Sequence, residues 1–189
     1  MWKDTGKESS RERPCEDAAL CRVTRAGYCF IGRKKDTMND AEFDAIVNKI
    51  QGEVFAEAKD ALGEKGFERW RNPKFCGKIA DADGFARVKG SCGDTMEMYI
   101  QVDGERAREV SYMTDGCASS SVAGSFTAEL ATGKTIEEIF ELSGADVLKE
   151  IGCFPEEEEH CAYLAVQTLQ EALNAYMVAQ TKKTRAAGG

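Results

Sequence analysis

The sequence predicts an α+β fold: a small three-stranded antiparallel sheet with helices packed mainly on one face. Three observations predict it. A helical apolar period dominates residues 39–70, a period of two takes over between 75 and 114, and the helical period returns after Cys117. Strands in one block with helices on either side give segregated layers, not alternating βαβ units.

Residues 1–14 are mostly charged and polar and are expected to lack a packed core. Asn39 or Asp40 caps a long helix running toward Trp70, with Phe43, Ile46, Val47, Ile50, Val54 and Phe55 at helical spacing. Gly63 and Gly66 predict a break, and Asn72-Pro73 ends the helix because proline disfavours helical geometry in the residue before it. Strands are expected over 85–89, 96–102 and 106–113. In the second, Met96, Met98, Ile100 and Val102 share one face, and Asp103-Gly104 supplies the hairpin turn. A helix follows over 119–132, with Val122, Ala123, Phe126 and Leu130 as its apolar stripe and Gly133 at its end. Thr135 and Glu138 form a capping box for the next short helix. Another short helix covers 143–151, and a final helix runs over about 159–182, with 184–189 frayed. The domain boundaries expected are an N-terminal extension over 1–62, a main domain over 63–182 and a tail over 183–189.

The net charge of -8 argues against a nucleic-acid-binding surface, which needs a basic patch. No apolar run is long enough to span a bilayer. The charged start has no apolar region after it, so no secretory signal is expected and the chain is placed in the cytoplasm. There the eight cysteines read as metal ligands or reactive thiols before they read as disulfides.

Three short motifs carry the chemistry: Cys92-Gly93-Asp94, Gly116-Cys117 and His160-Cys161. Three thiols with one carboxylate or imidazole make a four-ligand set for iron–sulfur chemistry or zinc. None of these pairs has C-x-x-C spacing, so the fold must assemble the site. Gly93 permits a tight turn beside Cys92. Cys117 and Cys161 are expected at helix starts, where the partial positive charge favours a thiolate. Taken singly, each residue has a plainer reading: a cysteine as a small buried hydrophobe, Asp94 as a turn residue, His160 as a solvated or capping side chain, and the run 156–159 as a solvated helix start. The conjunction is what points to a metal site.

Over residues 64–176 the chain resembles the IscU/NifU-type iron–sulfur cluster assembly scaffolds. The resemblance rests on Glu64-Lys-Gly-Phe-Glu-Arg-Trp-Arg-Asn-Pro73, Ser91-Cys-Gly-Asp-Thr-Met96, Met113-Thr-Asp-Gly-Cys-Ala-Ser-Ser-Ser121 and Glu159-His-Cys-Ala-Tyr-Leu-Ala165, in the family's order and spacing. It implies an IscU/SufE-like fold and a non-enzymatic scaffold on which a [2Fe–2S] cluster is built transiently. The implied ligands are Cys92, Asp94, Cys117 and Cys161, with His160 as the alternative to Asp94. Cys161 is the implied persulfide acceptor. The implied partners are a cysteine desulfurase, apo iron–sulfur acceptor proteins and a second copy of the chain around the cluster. Zinc suits the same ligands and is expected in purified protein.

Two departures stand out. Many members carry Leu-Pro-Pro-Val-Lys before His-Cys, where an Hsp70-type chaperone binds. Here residues 154–158 read Phe-Pro-Glu-Glu-Glu, so chaperone binding is not carried over. No long insertion separates Cys117 from Cys161, unlike the zinc-dependent SufU-like subgroup. Cys15, Cys21 and Cys29 lie outside the resemblance and are candidates for a second metal site or an interaction module, whereas Cys76 and Cys153 read as packing residues. Two competing functions remain: a zinc-bound sulfurtransferase-type relay of persulfide sulfur, and a structural zinc module.

Overall fold

The computed structural model describes residues 21–23, 29–31 and 39–187. Two compact units divide the chain, 1–47 and 48–189. In the first, β1 (Cys21–Val23) and β2 (Cys29–Ile31) pair antiparallel. The expectation about Cys15 lies outside the described residues. At the end of this unit Asn39 and Glu42 form a reciprocal capping box, each backbone N–H donating to the other's side chain, and α1 (Asp40–Arg71) begins.

Gly63 interrupts α1 at φ 66°, ψ 176°, inside the break that the glycines predicted. In a straight helix Phe55 and Phe67 would stand about 18 Å apart. Their ring centroids are 5.9 Å apart, and Phe55 also meets Trp70 edge-on, so the chain folds back at Gly63. Positive φ favours glycine there, and an added Cβ would come within 2.8 Å of Cys153 Cβ. The apolar period before the break forms a helix, yet Phe43, Ile46, Ile50 and Val54 are exposed. Periodicity specified the helix and not its burial.

The sheet is a meander of β3 (Gly84–Lys89), β4 (Thr95–Asp103) and β5 (Arg106–Thr114), in that order and antiparallel throughout. Met96, Met98 and Ile100 are fully buried on its inner face, opposite Thr114, Tyr112 and Val110. After Gln101 the register shifts, and Val102 pairs with Ala107. The outer face stays partly open: Phe85 stacks at a tilt on Tyr99, and Glu97 accepts from the Tyr99 hydroxyl at 2.6 Å. Burial and that neighbouring carboxylate push the Tyr99 phenol up to about 12.

Against the inner face lie α2 (Ala118–Ala131) and α5 (His160–Ala187). Helix α2 is buried around most of its circumference, which accounts for its small residues: Gly124 lets it approach the Tyr112 ring, where a Cβ would meet Cδ2 at 2.5 Å. Arg69 lies over the Phe126 ring and donates to Ser125 Oγ and the Glu129 carboxylate, so the end of α1 is tied to α2 by a charged but satisfied side chain. Two short helices, α3 (Ile136–Phe140) and α4 (Gly144–Ile151), each begin with a capping box, Thr135/Glu138 and Ser143/Asp146. Helix α5 does not stop near 182 but continues to Ala187, so the expected fray is helical over 184–187. Its core stripe is Cys161, Ala165, Leu169, Ala172 and Leu173. No described helix is long and apolar enough to cross a membrane.

Two glycines test this packing with opposite signs. A Cβ on Gly84 would meet the Ala172 carbonyl oxygen at 2.3 Å, whereas one on Gly52, within α1, meets nothing within 4 Å. Gly84→Ala is expected to cost about 1–3 kcal/mol in urea unfolding because backbone must shift. Gly52→Ala is expected to raise stability by about 0.5–1 kcal/mol through helix propensity. Equal midpoints for the two variants would contradict the packing.

Candidate metal centre

Three segments converge at one end of the sheet: the β3–β4 loop, the start of α2 and the start of α5. The loop is closed by Gly90 N–H donating to the Asp94 carbonyl at 2.8 Å and Gly93 N–H donating to Gly90 O at 3.1 Å, with Gly93 at φ 98°. This turns Asp94 toward α2. Its Oδ2 accepts from Ser120 Oγ at 2.6 Å and from the Cys117 N–H at 3.3 Å. Gly116 makes that approach possible, since a Cβ there would lie 2.3 Å from Asp94 Oδ2. The glycine of the Gly-Cys motif therefore serves the carboxylate of the Cys-Gly-Asp motif. Asp115 anchors the other side, accepting from Thr95 N–H at 2.6 Å, and that bond holds its carboxyl below the usual range.

Cys117 is exposed at the N-cap position of α2. A 3₁₀ turn over Glu156–Glu158 leads into α5, whose first two residues are His160 and Cys161. The ligand atoms of Asp94, Cys117 and Cys161 all lie within 4.8 Å of one another, and so do those of Glu158, His160 and Cys161. Cys161 is common to both groups. Four of the five sequence-predicted residues are thus brought together. Cys92 is in neither group: it is exposed on the loop, its sulfur folded back toward Gly90, 3.4 Å from where a Cβ there would stand.

Two further residues join the site: Glu158, expected to be solvated, and Ser120, which lies outside the three short motifs. Glu158 Oε2 lies 3.5 Å from Cys117 Sγ and 3.6 Å from Cys161 Sγ. Ser120 Oγ bridges Asp94 and Cys161, 3.3 Å from the sulfur. Both residues had a signal in spacing. Glu158 precedes Cys161 by three, and Ser120 follows Cys117 by three, which puts each pair on one face of a helical turn.

The expectation of a thiolate at Cys161 is corrected. Cys161 is fully buried, because it heads the core stripe of α5. Burial pushes its thiol up to about 12; Ser120 opposes this by hydrogen bonding, while Cys117 and Glu158 add to it. Desolvation thus outweighs the helix terminus, which is worth only a fraction of such a shift. A cation among these donors would reverse that balance, since a metal-coordinated thiol is deprotonated outright.

With this geometry, a family model described as the NifU-like N terminal domain matches residues 62–183. The chain belongs to the IscU/NifU family of iron–sulfur cluster assembly scaffolds. Relatives in that family carry the description of scaffold proteins. The chain is similar to iron–sulfur cluster assembly scaffold protein IscU 1 of Archaeoglobus fulgidus, 38% identical over 114 residues, covering 60% of this chain and 74% of that protein. It is also similar to the iron–sulfur cluster assembly enzyme IscU of Drosophila melanogaster, 33% identical over 125 residues, covering 64% and 80%. Among solved structures, a putative iron–sulfur cluster assembly scaffold protein for the SUF system from Fervidobacterium islandicum superposes with a TM-score of 0.52 at 26% identity, over 61% of this chain and 98% of that one. A nitrogen-fixing NifU-like protein (N-terminal) from Brucella abortus, TM-score 0.51 at 19% identity over 63% and 96%, shares the α+β fold. The fold is common to both kinds of scaffold, so it does not by itself separate this chain from the SUF-system proteins.

In metal-free protein, Cys161 is expected to alkylate with iodoacetamide at least tenfold more slowly at pH 8 than exposed Cys117, as read by peptide mass spectrometry. Burial, with Cys117 and Glu158 nearby, leaves little of this thiol ionised at that pH. Its rate should climb about tenfold per pH unit, because the working range lies below the folded pKa. Labelling of Cys161 as fast as Cys117 would refute a buried, neutral thiol.

Proposed function

We propose that this family member assembles a [2Fe–2S] cluster from iron and desulfurase-derived sulfur and passes it to apo iron–sulfur proteins. The observation that carries this reading is the convergence of Asp94, Cys117 and Cys161 ligand atoms within 4.8 Å from three separate segments. The cluster is cargo. Cys117 and Cys161 supply thiolates, and Cys92 supplies a third from a loop whose two glycines, Gly90 and Gly93, allow it to close over the cluster. Asp94 supplies a harder oxygen ligand that holds iron less firmly than a fourth thiolate, which suits release. His160 is the alternative fourth ligand.

Sulfur arrives on the persulfide of a pyridoxal-phosphate cysteine desulfurase. The Cys161 thiolate attacks the outer sulfur, the donor's S–S bond breaks, and the donor cysteine leaves as a thiolate, so the exchange itself needs no oxidant. Conversion of that sulfur to bridging sulfide takes two electrons from a separate reductant. Because burial keeps Cys161 neutral, a cation already among the ligands is what makes the thiolate available. Recipient proteins, pairing of two copies around the cluster and cytoplasmic placement belong to the same proposal. The zinc-bound relay is favoured by one feature, the mixed nitrogen, oxygen and sulfur donors around Cys161, which zinc accepts readily.

Anaerobic reconstitution with iron, cysteine and a desulfurase separates the readings. The wild-type chain is expected to develop [2Fe–2S] absorption that is lost in Cys92→Ala, Cys117→Ala and Cys161→Ala. Asp94→Ala is expected to hold its cluster longer against transfer. Acceleration of the desulfurase with zinc bound and no cluster formed would sink the scaffold reading and select the relay.

A further inference from the structure

Glu158 stands where a fourth metal ligand would stand. The same oxygen, Oε2, faces both thiols, at 3.5 Å from Cys117 Sγ and 3.6 Å from Cys161 Sγ. His160 Nε2 lies 3.6 Å from Cys161 Sγ. Two ligands on one tetrahedral metal, a sulfur at about 2.3 Å and a nitrogen or oxygen at about 2.0 Å, are separated by about 3.5 Å. These separations are three of the six edges of a tetrahedron of four ligands, and all three match that length.

The histidine is also set for coordination. Its Nδ1 lies 2.9 Å from the Glu157 carbonyl oxygen, which can only accept, so Nδ1 donates there and Nε2 faces Cys161. A backbone carbonyl on the remote nitrogen is the usual support of a metal-bound imidazole. Asp94, by contrast, is engaged by Ser120 and by the Cys117 N–H. Among the described residues the hydrogen-bond partners of the Glu158 side chain are the two thiols.

We propose that Glu158 is a metal ligand. Through Oε2, with His160 Nε2, Cys161 Sγ and Cys117 Sγ, it binds a divalent transition-metal ion, zinc or ferrous iron, while Asp94 remains on Ser120. The donor set of two sulfurs, one nitrogen and one oxygen is a tetrahedral one for such ions. It gives the ion a place among the thiols before sulfur arrives. This inference rests on the metal-handling reading of the same site and adds a second carboxylate to it.

The test uses cobalt(II), whose visible bands report tetrahedral geometry and whose near-ultraviolet absorption reports thiolate bonding. The wild-type chain is expected to give both signals in an anaerobic titration. Glu158→Gln is expected to weaken cobalt binding about tenfold or more and to alter the visible bands. Glu158→Asp, which keeps the carboxylate on a shorter arm, should retain tetrahedral bands. Circular dichroism on each variant confirms the fold. Glu158→Gln with wild-type affinity and bands overturns the proposal, as does a wild-type spectrum without thiolate absorption. Reconstitution on the same proteins keeps the two readings apart. Cobalt binding through Glu158 with no cluster formed retires the scaffold reading and leaves the ligand assignment. Cluster formation with cobalt binding indifferent to Glu158→Gln does the reverse.

Discussion

Before any metal is bound, one contact gathers the candidate ligands: the Asp94 carboxylate lodged against the start of α2, between the Cys117 N–H and the Ser120 hydroxyl. It ties the β3–β4 loop to the helix that bears Cys117. Gly116 is what admits it. The same Ser120 hydroxyl reaches Cys161, so α5 is drawn into the same small network. A charge-assisted bond at a helix start is among the stronger polar contacts available, and it holds metal donors in place without a metal.

Core packing then sets the chemistry of those donors. Cys161 is both a candidate ligand and a core residue, at the head of the stripe that continues through Ala165, Leu169 and Leu173. Its burial, with Cys117 and Glu158 nearby, favours the neutral thiol. The energetic conflict is local, and a cation bound among these donors would make metal binding and thiol ionisation one event.

Local signals were read well where one physical cause dominated. Gly63, Asp103-Gly104, Gly133 and the Thr135/Glu138 box each mark a backbone feature that few residues allow, and the structure has a break, a turn, a helix end and a cap at those places. The strand alternation of Met96, Met98 and Ile100 likewise gives the inner face. Burial was legible only in part. The apolar face of α1 before Gly63 is exposed, and α2 is buried almost all round, because burial depends on what packs against a helix and not on its own period.

The sequence by itself determined the element order, the turn chemistry and four residues that do come together, Asp94, Cys117, His160 and Cys161, since spacing and element boundaries are local properties. Tertiary structure decided the rest. It left Cys92 apart on its loop, brought Glu158 and Ser120 to the thiols, and buried Cys161, which works against the expected thiolate. These outcomes depend on distances across segments far apart in the chain and on solvent exclusion, neither of which a local pattern encodes.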